Sequence, residues 1–285
     1  MTPDFSPGRA IKLNAPSPVP ALLRDLVHEK TGIHFEDSRL ETMMEKLSDR
    51  ARAHHCGSFL DYYYILKYEE KGQSEWHRVM DAFSVPETYF WRELDQIRAL
   101  VDVVVPAWFR NETRPLRVWS AACASGEEPF SLVIALREAG WGEHPIIINA
   151  SDGSEAALER ARAGIYRERS FRSLPEPLRA KYFTPTAQGM KIKESIAQRV
   201  NFHWTNLVEL QETKALADSH VIFCRNVFIY FSTTAIRHTV ESFAACMPPN
   251  GHLFIGASES LLKITDKFEL REMGGAFVYV KAGAP

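Results

Sequence analysis

The sequence predicts a small all-α region followed by an α/β domain built on a parallel sheet, and two observations carry that reading. Between Val19 and about Ser84, apolar residues recur at three- and four-residue steps, the period of an amphipathic helix. From Leu116 onward, short β-branched apolar runs alternate with helical patterns, as in a parallel sheet covered on both faces. The length agrees, since 285 residues can supply two domains with a core each.

Residues 1–18 carry Pro3, Pro7, Pro16 and Pro18 with no apolar period and read as a flexible arm. The helical domain, residues 19–85, is expected in four pieces. Val19–Lys30 stops at Gly32, and Glu36–His55 buries one stripe of Leu40, Met43, Met44, Leu47 and Ala51. Phe59–Glu70 follows Ser58, which with Asp61 makes a capping-box pattern, and Ser74–Phe83 is the fourth. Residues 86–112 form a linker and a connecting helix around Glu93–Arg110. The domain over 113–285 opens with strand Leu116–Ala121, helix Pro129–Glu138, strand Ile146–Ala150 and helix Ser154–Ala163. Later strands are Val200–Trp204, Val221–Cys224 and Leu253–Ile255, with helix Thr233–Cys246 between the last two. Residues 167–199 break the alternation with Pro175, Pro177, Pro185 and Gly189 and one alternating piece, Met190–Ile192. They are expected to form a small antiparallel β-subdomain attached to the sheet. Phe268–Met273 and Ala276–Val280 meet at Gly274-Gly275, a hairpin signal. A parallel sheet closed by a C-terminal hairpin is the layout of Rossmann-like, class I methyltransferases.

Composition narrows the functional classes. A net charge of -2 excludes the chain as a whole from binding polyanions through bulk charge, though a local basic patch remains open. Four cysteines (Cys56, Cys123, Cys224, Cys246) are scattered without metal-ligand spacing, so no metal and a reduced setting are expected. The N-terminus lacks a signal-peptide core, and no apolar run reaches the roughly 18 residues of a membrane span. The expected place of work is the cytoplasm.

Ligands of such sheets bind at the carboxyl ends of the strands. The first strand runs into Ser120-Ala121-Ala122-Cys123-Ala124-Ser125-Gly126-Glu127-Glu128-Pro129, whose small side chains admit close approach and whose Pro129 suits a first helical turn. One glycine and two acids disfavour a pyrophosphate and suit a cation such as the ammonium and sulfonium of S-adenosylmethionine; an acidic helix start satisfying its own dipole is the plain alternative. Asp152 ends the second strand about 25 positions after Glu127, near the spacing of roughly 20 seen for ribose-binding acids. It could equally cap the helix starting near Ser154. Arg225 and Asn226 follow the strand Val221–Cys224, with Tyr230 a turn further; Arg225, flanked by apolar runs, requires a partner.

These residues together resemble the chemotaxis receptor (methyl-accepting chemotaxis protein) glutamate methyltransferase family, CheR. The resemblance runs from about residue 19 to the end. It rests on Thr88-Tyr89-Phe90-Trp91-Arg92-Glu93, Trp119 to Pro129, Ala150-Ser151-Asp152, Asn206-Leu207 and Phe223 to Phe231. It implies that S-adenosylmethionine, leaving as S-adenosylhomocysteine, contacts Thr88, Arg92, Glu127, Asp152, Asn206, Leu207 and Asn226. It implies too that Arg92 and Tyr230 face the transferred methyl and the incoming glutamate. Two departures stand out. Pro86 occupies a position where enteric members usually carry Asn, which puts one donor hydrogen bond in doubt. The stretch Phe183 to Val200 is shorter and less Gly-rich than in members that dock a receptor C-terminal pentapeptide, so docking independent of that peptide is expected.

Transfer of methyl from sulfonium to a carboxylate needs no general base, because a glutamate of reference pKa about 4.3 is already ionised at neutral pH. Positioning and exclusion of water are what such an enzyme must supply. Amine methyltransferases resemble one another in an Asn/Asp-Pro-Pro-Tyr/Phe turn; Arg225-Asn226-Val227-Phe228 lacks it, which disfavours an amine acceptor. On the Glu36–His55 helix, Arg39, Lys46 and Arg50 fall within about 20° of one line at 100° per residue. They are expected to face solvent beside the apolar stripe and, given the resemblance, to meet the acidic helical methylation region of a receptor. A solvated face with pairs to Glu45 or Asp49 is the alternative. Two other readings stay open: the same chemistry on another signalling protein or a small acid, and a non-catalytic module that binds the donor or its product.

Overall fold

The computed structural model describes residues 13–85 and 87–283, so residues 1–12 of the expected arm and Pro86 lie outside the described residues. The chain divides into two units. The first holds the described residues up to Lys30 together with Phe35–Phe83; the second holds Thr31–His34 and the chain from Ser84 onward.

The first unit is helical: α1 (Val19–Thr31), a single 3-10 turn (Asp37–Arg39), α2 (Leu40–Ala53), α3 (Phe59–Tyr68) and α4 (Lys71–Phe83). The helix expected from Glu36 to His55 therefore starts later, because Arg39 at φ -109°, ψ 5° leaves the α conformation. Ser58 and Asp61 close the expected capping box, Oγ accepting from Asp61 N at 3.2 Å and Asp61 Oδ2 from Ser58 N at 2.8 Å. The α2 stripe buries Met43, Met44, Leu47 and Ala51 while Leu40, in the first turn, stays half-buried. The same unit also buries Leu23 and Val27 of α1, Tyr62 and Leu66 of α3 and Val79 of α4, all nearly fully. Each such aliphatic or aromatic side chain contributes about 1.5–3 kcal/mol through burial.

The second unit starts with α5 (Leu94–Arg98), a π-helical stretch (Ala99–Val104) and α6 (Val105–Asn111) where one connecting helix was expected. Pro106, in the first turn of α6, has no N–H for the turn before it, and Val105 N bonds back to Leu100 O in the wider π register. Then follow β1 (Leu116–Ala121), α7 (Glu127–Glu138), β2 (Ile146–Asp152), α8 (Glu155–Ala163), β3 (Ile165–Tyr166), α9 (Glu176–Tyr182), β4 (Phe183–Thr186), β5 (Gly189–Ile192), α10 (Glu194–Ala197) and β6 (Val200–Trp204). The chain ends with α11 (Leu210–Ala217), β7 (Val221–Cys224), α12 (Thr233–Cys246), β8 (His252–Phe254), β9 (Phe268–Met273) and β10 (Ala276–Lys281).

Seven strands make one sheet in the order β6-β2-β1-β7-β8-β10-β9. The first five are parallel, and the β9–β10 hairpin joins antiparallel through β10. Alternate residues feed two cores, Leu116 and Val118 of β1 entering one and Trp119 and Ala121 the other, so the sheet is covered on both faces. The inserted segment forms a small antiparallel sheet, as expected: β3-β5-β4, which begins at Ile165, two residues earlier than the expected bound, and carries the short helices α9 and α10. Chain order reverses between β1 and β7, which opens the crevice beyond their carboxyl ends. Among the described residues no helix is long and apolar enough to cross a membrane.

Candidate functional site

The loop after β1 is shaped by backbone strain that its neighbours hold in place. Ala122 (φ 58°), Ala124 (φ 48°) and Gly126 (φ 91°) are left-handed, a conformation costing about 1–2 kcal/mol for a residue with a Cβ. Cys123 N donates to Ser151 O at 2.9 Å, Ala124 N to Asp152 Oδ2 at 2.8 Å, and Tyr166 Oη to Ser125 O at 2.8 Å. A Cβ on Gly126 would meet Ala161 Cβ at 2.9 Å and Tyr166 Oη at 3.2 Å, so this glycine serves packing against α8 and β3.

Asp152 closes β2, and its other oxygen accepts Ser154 N at 2.9 Å. The cap of α8 is Ser154, whose Oγ accepts Ala157 N at 3.1 Å. Asp152 is thus not the helix cap; its carboxylate spans the β1 and β2 loops. Beside it, Thr205 N donates to Asp152 O at 3.1 Å, which brings Asn206 and Leu207, each 7% exposed, to the same strand ends. Asn206 Oδ1 accepts Val208 N at 3.3 Å, and Asn206 N donates to Glu212 Oε2 at 2.8 Å.

Glu127 and Glu128 begin α7 and part ways. Glu127 is buried, with its oxygens accepting from Ser125 Oγ at 2.7 Å and Ser170 Oγ at 2.9 Å; burial pushes its carboxyl up against these bonds. Glu128 accepts from Ser120 Oγ at 2.6 Å and pairs with Arg225 at 3.0 Å. Burial raises its carboxyl too, with the Arg225 charge opposing. The expectation that both acids offer charge to a ligand fails for Glu128, whose charge is spent internally.

Arg225 finds the partner its apolar setting demands. Its side chain is 2% exposed and reaches Glu93 Oε2 at 3.1 Å, Glu128 Oε2 at 3.0 Å and Arg92 O at 2.7 Å. The segment it grips is strained as well, with Trp91 (φ 67°) and Glu93 (φ 50°) left-handed. Arg92 itself is partly exposed; Nη1 donates to Glu87 O at 2.8 Å, and the guanidinium lies 5.6 Å from the Tyr89 ring centroid. Thr88 is half-buried in the same segment. Asn226 (φ 58°) points Nδ2 at Glu93 Oε1, 3.3 Å away. Tyr230 ends the 3-10 turn Phe228–Tyr230, half-exposed, with its carbonyl accepting His34 N at 2.8 Å.

Two clusters result. One gathers Glu127, Asp152, Asn206 and Leu207 around the β1, β2 and β6 ends; the other gathers Arg92, Asn226 and the Glu93–Arg225–Glu128 network at the β7 end. Glu127 and Glu128, adjacent at the start of α7, stand one in each. This donor set of carboxylates and amides suits hydroxyls, an ammonium and an exocyclic amine. Among the described residues it leaves no spare buried cation for a pyrophosphate, because Arg225 is held between two acids. The residues present fit S-adenosylmethionine on that ground. Sequence reasoning missed Glu93, Ser170 and Glu259. A carboxylate among the small residues directly after β8, in Gly256-Ala257-Ser258-Glu259-Ser260, was the available signal for the last.

The three basic residues of the first unit do not form the expected ridge. Arg39 is exposed but sits in the 3-10 turn, outside the α2 wheel. Lys46 Nζ donates to Ala82 O at 3.2 Å and stands 6.0 Å from the Phe83 ring. Arg50 is partly exposed but forms a two-point pair with Glu75 at 2.8 and 2.6 Å, so its charge is committed within the unit. Glu75, 3% exposed, also accepts from Tyr62 Oη at 2.7 Å and lies 2.9 Å from His54 Nε2, a demand for charge that draws Arg50 in.

Two family models match the chain: "CheR methyltransferase, all-alpha domain" over residues 21–84 and "CheR methyltransferase, SAM binding domain" over residues 86–276. Chemotaxis protein methyltransferase 2 of Vibrio cholerae serotype O1 is 38% identical, over 90% of this chain and 91% of its own. Chemotaxis protein methyltransferase 2 of Pseudomonas aeruginosa is 34% identical, over 84% and 85%. Chemotaxis protein methyltransferase of Escherichia coli K12 is 30% identical, over 87% and 86%.

Proposed function

The chain belongs to the CheR methyltransferase family, and on that premise we propose that it esterifies glutamate side chains of chemoreceptors in the cytoplasm. The enzyme is an S-adenosylmethionine-dependent methyltransferase. What supports the receptor reading is the set of acids and amides beyond β1, β2 and β7, suited to the donor, together with Arg92 and Tyr230, both partly exposed, as the groups proposed to meet an anionic acceptor.

In this reading Asp152 accepts the ribose hydroxyls, and Glu127, Asn206, Leu207, Asn226 and Thr88 line the rest of the donor's bed. S-adenosylmethionine supplies an electrophilic methyl carbon on a sulfonium, whose carbon–sulfur bond breaks as the carboxylate oxygen bonds to carbon. The acceptor arrives ionised, so no residue needs to take a proton. Arg92 orients the acceptor with guanidinium donors beyond Nη1, which among the described residues bonds Glu87 O. Tyr230 offers a hydroxyl to one carboxylate oxygen and narrows the pocket. The protein's work is positioning and dehydration.

The partner is the acidic helical methylation region of a receptor, engaged without a C-terminal pentapeptide. The two-residue turn between β4 and β5 (Ala187-Gln188) supports that, since it adds no Gly-rich length to the edge of the small sheet. Arg39 and Lys46 are the proposed basic contacts of the helical domain, taken as residues 19–85, while Arg50 serves Glu75.

Incubation with methyl-labelled donor and receptor cytoplasmic fragments tests the assignment. Base-labile label on the receptor is expected, including on fragments lacking the pentapeptide. Absence of transfer to every fragment, from protein that binds S-adenosylhomocysteine by calorimetry, overturns the receptor assignment.

A further inference from the structure

Two residues beyond β8 the chain turns at Gly256, and the half-buried Glu259 carboxylate folds back over the end of β7. Its Oε2 accepts Asn226 N at 2.9 Å and Gly256 N at 2.6 Å. Its Oε1 accepts Phe228 N at 2.7 Å and Ile229 N at 3.3 Å. Three of these four main-chain donors fall between left-handed Asn226 and the residue before Tyr230. Asn226 Nδ2 is aimed at Glu93 Oε1, and Glu93 Oε2 takes Ala257 N at 3.2 Å. The turns after β7 and β8 are thus tied twice, once through Glu259 and once through Glu93. A left-handed residue with a Cβ persists only where its surroundings over-determine it, and Glu259 supplies that determination.

We propose that Glu259 is a positioning residue for methyl transfer: its carboxylate sets the turn Asn226–Ile229, and so aims the Asn226 amide and delivers Tyr230 to the crevice. The inference rests on the donor-crevice reading above. Glu259 touches neither donor nor acceptor; it acts through the backbone. A glutamine cannot replace it, because one of its ends is a donor that would face main-chain N–H groups.

Calorimetry with S-adenosylhomocysteine on the full chain, paired with receptor-methylation kinetics, tests this in a cycle of Glu259→Gln and Asn226→Gly. Glycine removes the amide while tolerating the left-handed backbone. Glu259→Gln is expected to weaken S-adenosylhomocysteine about tenfold, as for one misaimed hydrogen bond. It should lower kcat on the order of a hundredfold, as for a misplaced reactive group. In the Asn226→Gly background it should cost no further affinity, because the residue it aims is gone. Losses that add in the double variant, or a Glu259→Gln protein with wild-type affinity and turnover, overturn the proposal. Should Glu259→Gln not fold, Gly256→Ala replaces it: the new Cβ would press on Asn226 Nδ2 and sit 2.8 Å from Glu259 Oε2, with the charge kept. The same tenfold loss is expected, and undiminished affinity overturns the proposal. Wild-type protein that binds no S-adenosylhomocysteine sinks the donor-crevice reading and this inference together; wild-type binding with an indifferent cluster sinks this inference alone.

Discussion

Arg92 and Arg225 are joined by one hydrogen bond, Arg225 Nη2 to Arg92 O, and are used in opposite ways. Arg225 commits its guanidinium to Glu93, Glu128 and the Arg92 carbonyl, and at 2% exposure has nothing left to offer. Arg92 keeps a partly exposed head, bonded to one neutral carbonyl and resting near Tyr89. A guanidinium has five N–H groups, so several on Arg92 remain free for a carboxylate guest. Arg92→Ala is therefore expected to lower kcat on the order of a hundredfold, with S-adenosylhomocysteine affinity falling by much less. Tyr230→Phe, which removes a single hydroxyl, should lower kcat by about tenfold. Single-turnover kinetics beside calorimetry separates the two quantities, and unchanged turnover in both variants removes these residues from the catalytic machinery.

At the scale of elements, Glu75 ties three helices: it sits on α4 and draws Arg50 from α2 and Tyr62 from α3, with His54 just past α2. Burial pushes its carboxyl up, but hydrogen bonds from Arg50, His54 and Tyr62 hold it net below the usual glutamate range. A depressed carboxyl adds stability above its unfolded value and loses it as pH falls through the folded one. The helical unit should accordingly weaken on acidification below about pH 4.3. Glu75→Gln should cost about 3 kcal/mol at neutral pH and flatten that acid limb, measured as melting temperature against pH. A variant that melts like wild type at pH 7 denies the network this role. The same network explains what sequence left hidden. The helix wheel of α2 put Arg50 outside because its partner lies 25 residues away, on another helix. Strands β1, β6 and β7 were legible to the residue: β7 is a short continuous apolar run buried throughout, and β6 alternates, with Val200 and Phe202 on the core side and Asn201 and His203 exposed. Helix α11 was not legible: its first residue, Leu210, is 40% exposed, and its N-cap, Glu209, makes no capping bond. The site was half legible. Asp152 and Asn226 announce themselves at strand ends, whereas Glu259 bonds only backbone N–H groups, which leave no mark in residue types.

For the whole molecule, a net charge of -2 gives no bulk attraction to an acidic receptor, so any steering must come from local cations. Arg39 is exposed and Lys46 half-exposed, and neither is committed to a carboxylate among the described residues. Arg39→Glu with Lys46→Glu should slow receptor methylation severalfold near 0.01 M salt, where the Debye length is about 30 Å, and little near 1 M, where it is about 3 Å. Rates that ignore both charge reversal and salt would show these residues to be ordinary surface. Arg50→Glu is no substitute in this test, because it would set two carboxylates against each other inside the helical unit.

The Asp152 carboxylate holds one backbone N–H on each oxygen, from Ala124 and from Ser154. Those bonds fix the carboxylate at the end of β2, in the place proposed to greet a vicinal diol. The left-handed loop it clasps is set by the fold itself, so in the proposed reading a nucleoside would meet a finished mould and forfeit little loop entropy on arrival.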